Sequence, residues 1–390
     1  MIAWLLISFF VLLFLGVPIA MSLGLSAMGG ILFLGGGSTV TIAQRMFEGM
    51  NSFALLAIPL YTFAGFTMSK GGISKRLMDF CYSIVGHIYG GLAHVNVLSS
   101  MIFAGISGSA VADTAGVSGM FMPEMIRKGY SKNFTVAVTA ISSTIGIIIP
   151  PSIPMVVIAG ICGISTGKLF LGGIIPGILC GLAQMIVSYF LAKKEGVPKE
   201  PGHFTIGPVL HGLWESWPAL LMPIIIVGTI TMGIVSPTEA GVIAVVYGLF
   251  AGGIIYRELK WEDIKFAFAE TVRTSGRIFI VIGAAKLYTV MLTTAGFDKW
   301  VAKTMLGFST NPTVILIMIL LIFFIVTMFM ESIATLTLFM PILYPIALGV
   351  GINPIVLSVL ITVVIGIGLV TPPVGMCIYV ACDLMDTTVG

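Results

Sequence analysis

Two apolar stretches of this chain, TIGIIIPPSIPMVVIAG from Thr144 to Gly160 and IGIGLVTPPVGMCIYVAC from Ile365 to Cys382, each carry a Pro-Pro pair at their middle. Proline inside a helix removes a backbone donor and clashes with the preceding turn, so Pro150-Pro151 and Pro372-Pro373 free carbonyls at mid-bilayer depth. Unpaired backbone in lipid is too costly to persist unless it is buried in protein or lines a site. Broken helices at matching places in two halves of a chain point to the substrate and ion site of a secondary transporter. That pair of breaks confines the chain to a helical membrane fold with a duplicated centre.

The solvent follows from composition: 58% of residues are hydrophobic, 9% are charged and mean hydropathy is +1.12. Apolar runs near the ~20 residues that span a bilayer recur along the whole length, which excludes a signal peptide or a single anchor on a soluble domain. The basic residues behind the net charge of +3 sit in short loops, so they carry topology information and no sign of nucleic acid. Cys81, Cys162, Cys180, Cys377 and Cys382 form no CxxC pair and read as small buried hydrophobes. His87, His94, His203 and His211 have no zinc spacing and no neighbouring nucleophile, so neither a metal centre nor a hydrolase triad is expected. GISTGK at 163–168 misses a phosphate loop, because Cys162 replaces its first glycine and Leu169 its Ser/Thr. Without a nucleotide site or other cofactor, energy must come from an ion gradient or another subunit.

The Pro-Pro echo has company. Leu60-Tyr61-Thr62 matches Leu287-Tyr288-Thr289, Phe121-Met122-Pro123 matches Phe339-Met340-Pro341, and VPIAMSLG from Val17 loosely matches SPTEAGVI from Ser236, all in the same order at a similar offset. The chain is expected to hold two repeats, 1–192 and 212–390, joined by a polar cytoplasmic linker at 193–211. The first copy parses as spans at 2–16, 18–37 and 52–69, a re-entrant hairpin at 88–128, a broken helix at 134–165 and a span at 168–192. The second parses as spans at 214–234, 237–256 and 273–295, a hairpin at 311–349 and a broken helix at 354–382, one helix short of its twin. The polar-apolar segments Ser69 to His87 and Gly296 to Phe308 read as paired interfacial arms.

Five spans per copy is an odd number, so the second copy must enter from the opposite side. With the linker cytoplasmic, fourteen Lys and Arg fall on or near that side against Arg45, Lys168, Lys299 and Lys303 elsewhere, and Lys286 lies within a span. The bias favours inversion.

At the first hairpin tip, Ser107, Gly108 and Ser109 interrupt the apolar leg, and Asp113 and Thr114 follow within about a turn. Hydroxyls with exposed carbonyls suit a hard cation such as sodium; the competing reading is a tight turn with helix-capping serines. The tip must meet the Pro150-Pro151 break, which favours the ion site. A carboxylate at helix centre costs roughly 2.5 to 3.5 kcal/mol, so Asp113 is functional by default, with a cap as its alternative. Glu331 takes the comparable place at the second tip, with Ser332, Thr335 and Thr337 around it, so that two half-sites face a central cavity. Glu239 after Ser236 reads as a cap, and Lys286 as half of a salt bridge or a subunit contact.

With these parts assembled, the chain resembles the large membrane subunit of the tripartite ATP-independent periplasmic (TRAP) transporters along its whole length. FAGISGSAVADTAGVSGMFMPEM, IIPPSIPMVVIAG, SPTEAG and LVTPPVGMCIYVA carry the likeness. The resemblance implies an all-α, elevator-type symporter of the bacterial inner membrane that takes up organic acids, such as C4-dicarboxylates or sialic acid, with sodium as coupling ion. It implies as partners a small four-helix membrane subunit and a soluble periplasmic binding protein. It places one sodium between Ser107, Gly108, Ser109 and the break residues Gly146, Pro150 and Ser152. A second falls between Ser332, Thr335 and Gly368, Thr371, Gly375, Met376. Substrate lies near Ser109, Asp113, Thr114 and Glu331. Family members carry a further helix after the second break. The other reading is an anion symporter or exporter of the same superfamily that needs no binding protein; a channel or an enzyme is more distant.

Overall fold

Apolar residues at nearly every position of a segment leave the backbone to satisfy itself, and this chain does so as helices throughout. The computed structural model describes residues 1–35, 38–197 and 204–388. In chain order the helices are α1 (Ile2–Phe14), α2 (Ile19–Leu34), α3 (Thr39–Met50), α4 (Ala57–Lys70, entered by a 3₁₀ turn Phe53–Leu56), α5 (Ile73–Val85), α6 (Gly91–Ser107), α7 (Ala110–Asp113), α8 (Gly119–Arg127), α9 (Lys132–Ser143) and α10 (Ile153–Cys162). They continue as α11 (Thr166–Lys194), α12 (Ile206–Thr231), α13 (Pro237–Phe250), α14 (Trp261–Thr294), α15 (Phe297–Phe308), α16 (Pro312–Thr327), α17 (Ser332–Gly349), α18 (Pro354–Gly368) and α19 (Met376–Asp383).

Among the described residues six helical stretches are long and apolar enough to cross a membrane: Phe53–Lys70, Thr166–Lys194, Ile206–Thr231, Pro237–Ile255, Trp261–Thr294 and Ser332–Gly349. The outward face of α11 exposes Leu171, Ile175, Leu179, Ile186 and Phe190. Such a stripe would drive association in water and is the ordinary surface of a helix in lipid.

Local chemistry sets the helix starts. Ser131, Ser165, Asn311 and Asn353 each accept a backbone N–H at the N-terminus of the helix that follows, and Pro237, Pro312 and Pro354 open α13, α16 and α18. Glu239 is a cap in full. Ser236 Oγ accepts from Glu239 N at 3.3 Å while Glu239 Oε2 accepts from Ser236 N at 2.6 Å.

The helices pack in two groups, joined by α14 against α17 and by α5 against both α12 and α6. In the first, α4 packs on α13, and α14 lies against α2, α3 and α4. Two tyrosines tie this framework across the chain: Tyr61 donates to the Pro237 carbonyl at 2.8 Å and Tyr288 to the Leu5 carbonyl at 2.9 Å. The second body gathers α6 with α9 and α11, α16 with α17 and α18, and α10 with α17. One core cluster joins Leu5, Phe9, Leu23, Tyr288 and Met291 to Ala334, Leu338 and Ile342 of α17, and the larger one joins Ile58, Tyr61 and Ala244 to the residues under the hairpins.

Three features lie off the sequence-based parse. Residues between the second and third spans form α3, a helix with no buried residue and a Ser38 cap. The span expected from 273 begins at Trp261 and runs 34 residues, because Glu262–Lys265 and Glu270–Arg273 pairs suit an exposed helical face. Helix α12 begins at Ile206, eight residues before the expected span. Lys199 and His203 of the linker, and residues 36–37 of the second span, lie outside the described residues.

Candidate functional site

Helix α6 ends at the first tip, where Gly108 takes a left-handed conformation (φ 65°) and reverses the chain. Its carbonyl accepts the Ile153 N–H at 3.1 Å, directly after the Pro150-Pro151 break. A methyl group on Gly108 would stand 2.7 Å from the Pro151 oxygen. Tip and break are thus joined backbone to backbone. Gly146 approaches from the other side: a Cβ there would lie 3.3 Å from the Ser109 oxygen.

The hydroxyls at this junction are also caps. Ser109 Oγ accepts from Ala112 N at 3.4 Å, and Ser107 Oγ accepts from Ser109 N at 3.5 Å. Ser152 Oγ donates to the Ile147 carbonyl at 2.5 Å and accepts from Met155 N at 3.3 Å. Ser107, Pro150, Pro151 and Ser152 are all buried. The serine oxygens expected to hold a cation are the ones that accept these backbone N–H groups, so the two readings of the tip describe one set of atoms.

The second junction repeats the arrangement. At the end of α16 the Met328 carbonyl accepts the Val374 N–H at 3.1 Å, next to Pro372-Pro373. Gly368 lies so close to the tip that a Cβ would stand 2.6 Å from that of Thr327. Thr335 Oγ1 donates to the Glu331 carbonyl at 3.0 Å, and Thr371 Oγ1 to the Ile367 carbonyl at 2.6 Å. Gly375 turns the chain at φ 54° into α19, and Met376 behind it is half-buried. Both Pro-Pro bonds are cis. The junctions differ in exposure, for Pro372 and Pro373 are exposed where Pro150 and Pro151 are buried.

Asp113 closes α7 and is fully buried, its N–H bonded to the Ser109 carbonyl at 3.0 Å. A π-helical turn, Thr114–Ser118, follows it before α8 begins. Such bulges recur at functional sites. Thr114 Oγ1 donates to Ser143 Oγ at 2.6 Å. Glu331 is the N-cap of α17: Oε2 accepts from Ile333 N at 2.9 Å and Ala334 N at 3.3 Å, and Oε1 from Ser332 Oγ at 2.7 Å. Cys377, read from sequence as a packing residue, is fully buried in α19, which lies against α9, α7 and the Thr114–Ser118 turn.

Sequence reasoning also missed a polar vein between α6 and α9. Asn96 Nδ2 donates to Thr139 Oγ1 at 2.9 Å, and Ser142 Oγ donates to Asn96 Oδ1 at 3.2 Å, all fully buried. The i, i+4 spacing of Thr135 and Thr139, with Ser142 a turn on, was the signal available for it. Lys286 has no ion pair among the described residues; it lines a cavity of about 220 Å³ shared with Glu48 and Thr337.

Comparison with known proteins adds the following. A family model described as "Tripartite ATP-independent periplasmic transporter, DctM component" matches residues 6–390. The isethionate TRAP transporter permease protein DctMQ of Oleidesulfovibrio alaskensis is 37% identical over 98% of this chain, which spans 60% of that relative's length. The sialic acid TRAP transporter large permease protein SiaM of Vibrio cholerae is 36% identical, over 96% of this chain and 88% of the relative. The C4-dicarboxylate TRAP transporter large permease protein DctM of Pseudomonas aeruginosa is 36% identical, over 95% and 86%. Among solved structures, MtrF of Neisseria gonorrhoeae, one of a class of antimetabolite efflux pumps, superposes with a TM-score of 0.60 at 13% identity, covering 90% of this chain and 79% of its own. The YdaH transporter of Alcanivorax borkumensis gives 0.57 at 14% identity, covering 88% and 81%. At these identities the two structures speak for the fold alone.

Proposed function

The chain belongs to the DctM component family of the tripartite ATP-independent periplasmic transporters, and from that membership we propose that it is the sodium-coupled transport subunit for a small organic acid. It is a permease subunit of the bacterial inner membrane and not an enzyme. The tripartite family implies a small membrane subunit and a periplasmic binding protein as partners. The relatives are named for a sulfonate, a sugar acid and dicarboxylates, so the shared chemistry is an anion.

One observation carries the reading. Each hairpin tip is hydrogen-bonded to the Pro-Pro break beside it, Ile153 to Gly108 and Val374 to Met328, so two half-sites of like construction flank α19. Hydroxyl and carbonyl oxygens converge at both, and a hard cation takes such ligands. One sodium is held among Ser107–Ser109, Gly146 and Ser152, the other among Ser332, Thr335, Thr371 and Gly375. Substrate binds near Asp113 and Thr114, its charge balanced by the ions. The two halves are inverted repeats, which the excess of basic residues on one side supports. The hairpin body moves as an elevator against the framework of α1–α4 and α12–α14.

Uptake into proteoliposomes holding the partner subunits tests the coupling. Ser107→Ala or Thr335→Ala should raise the sodium concentration for half-maximal uptake several-fold while the protein stays folded. Uptake indifferent to sodium and to both changes would remove these residues as cation ligands. The alternative reading is an anion symporter or exporter that needs no binding protein. Transport at full rate by this subunit alone would select it.

A further inference from the structure

Lys286 sits in α14, eight residues before the helix ends at Thr294, about 12 Å along the axis. A cation at that depth needs a reason, since charged groups within spanning helices face a cavity or a partner. Its stem passes over Gly49 of α3, where even a methyl group would stand 2.6 Å from the Lys286 Cβ. The absence of a side chain at Gly49 is what lets the lysine lie along the helix pair. Lys286 then lines the cavity of about 220 Å³ at the seam between the two bodies. The framework wall carries Glu48, Ser52 and Lys286, and the facing wall carries Gly160 of α10 and Thr337 of α17. Those two helices lead directly from the first break and the second tip.

Among the described residues the walls carry one cation, Lys286, and one carboxylate, Glu48, and Arg45 beside Glu48 leaves one positive charge in excess. Glu48 is already paired with Arg45 at 2.7 Å, and among the described residues Lys286 has no ion pair. Gly160 adds room and Ser52 a hydroxyl donor without adding charge, while the Thr337 hydroxyl already donates to the Ile333 carbonyl at 2.7 Å. A cavity with an ammonium that has no ion pair among the described residues, and a hydroxyl donor beside it, suits a small anion.

We propose that the seam cavity is an anion-binding station on the substrate's route, with Lys286 as its cationic contact for a carboxylate or sulfonate. This rests on the organic-acid reading above. The station is separate from the tip-and-break sites and its cation stands on the framework, so Lys286 meets the anion before the hairpin body carries it. Glu48 on the cavity wall disfavours anions less than Lys286 favours them, because Arg45 at 2.7 Å matches its charge.

Two readouts test this. In a chain whose five cysteines are replaced by alanine or serine, Ser52→Cys is reacted with the anionic sulfonatoethyl and the cationic trimethylammonioethyl methanethiosulfonates. Rates are normalised to a free thiol. The anionic reagent should react several-fold faster, Lys286→Gln should level the two rates, and Lys286→Arg should keep the preference. In proteoliposomes with partner subunits, succinate, N-acetylneuraminate and isethionate serve as probes. For any that is taken up, Lys286→Gln should raise KM roughly tenfold with little change in the maximal rate, and Lys286→Arg should stay within about threefold of wild type. A reagent preference that is absent, or that survives Lys286→Gln, overturns the proposal. So does restored uptake in a Glu48→Lys, Lys286→Glu double variant, which would make the pair an internal salt bridge. If wild type takes up none of the probes, the organic-acid reading fails, while the reagent rates still decide whether Lys286 makes the cavity an anion site.

Discussion

A side chain at Gly108 would meet the Pro151 carbonyl, and the residue's left-handed backbone excludes most alternatives, so the first tip has little freedom to move away from its break. Asp113 lies five residues further on, fully buried, at the end of a four-residue helix capped by Ser109. Its helix lies against α19 in the interior. If Asp113 acts on ion or substrate, Asp113→Asn, which keeps shape and much of the hydrogen bonding, should abolish most sodium-driven uptake and leave thermal stability in detergent near wild type. Near-normal uptake by this variant would reduce Asp113 to a structural residue. Glu331 contrasts with it: three hydrogen bonds at the start of α17 give that carboxylate a capping role of its own, beside any part in binding. Sequence could flag both acids by the cost of burying them, but only the fold separates the residue that closes a helix from the one that starts a helix.

At the scale of elements, the contacts that matter are those between the framework and α10. The turn Phe53–Leu56 lies against α10, and a Cβ at Gly160 would stand 3.8 Å from that of Ala54. Within the framework, a Cβ at Gly24 would stand 3.9 Å from that of Ala284. Both separations fall where disulfides form. In a cysteine-free background, oxidised Ala54→Cys/Gly160→Cys should lose most uptake and regain it on reduction, with each single variant active. Gly24→Cys/Ala284→Cys should transport in either state. If the first cross-link leaves uptake intact, α10 does not shift against the framework and the elevator reading falls. Helix α3 explains why this seam is hard to read from sequence: its residues fall between two apolar spans, and the amphipathic helix they form is defined by the neighbour it lies on, α14.

For the whole molecule, topology is the measurable consequence of inversion. Asn133 and Gly349 are both exposed, and a Cβ at Gly349 meets nothing within 4 Å. Asn133→Cys, beside the basic segment after the first hairpin, should react with an impermeant maleimide only from the cytoplasmic side. Gly349→Cys, beside the uncharged turn after the second, should react only from outside. Labelling of both from one side would end the inverted-repeat reading. The tyrosines of the two Leu-Tyr-Thr segments bear on the same point. Each reaches into the opposite half of the chain, Tyr61 to Pro237 and Tyr288 to Leu5, so the framework is an interlocked pair and not two domains side by side.

Sequence alone determined the solvent, the helical class, the positions of the breaks and tips, and the Glu239 cap. Each of these is local: apolar runs, Pro-Pro pairs and a Ser-x-x-Glu box act within one or two turns whatever surrounds them. Tertiary structure decided what those parts meet. The bonds from Ile153 to Gly108 and from Val374 to Met328, the packing of α19 against α7 and α9, and the stem of Lys286 over Gly49 join residues from distant parts of the chain. No periodicity encodes such neighbours, because a helix's outward pattern says which face is buried and not which residue it is buried against.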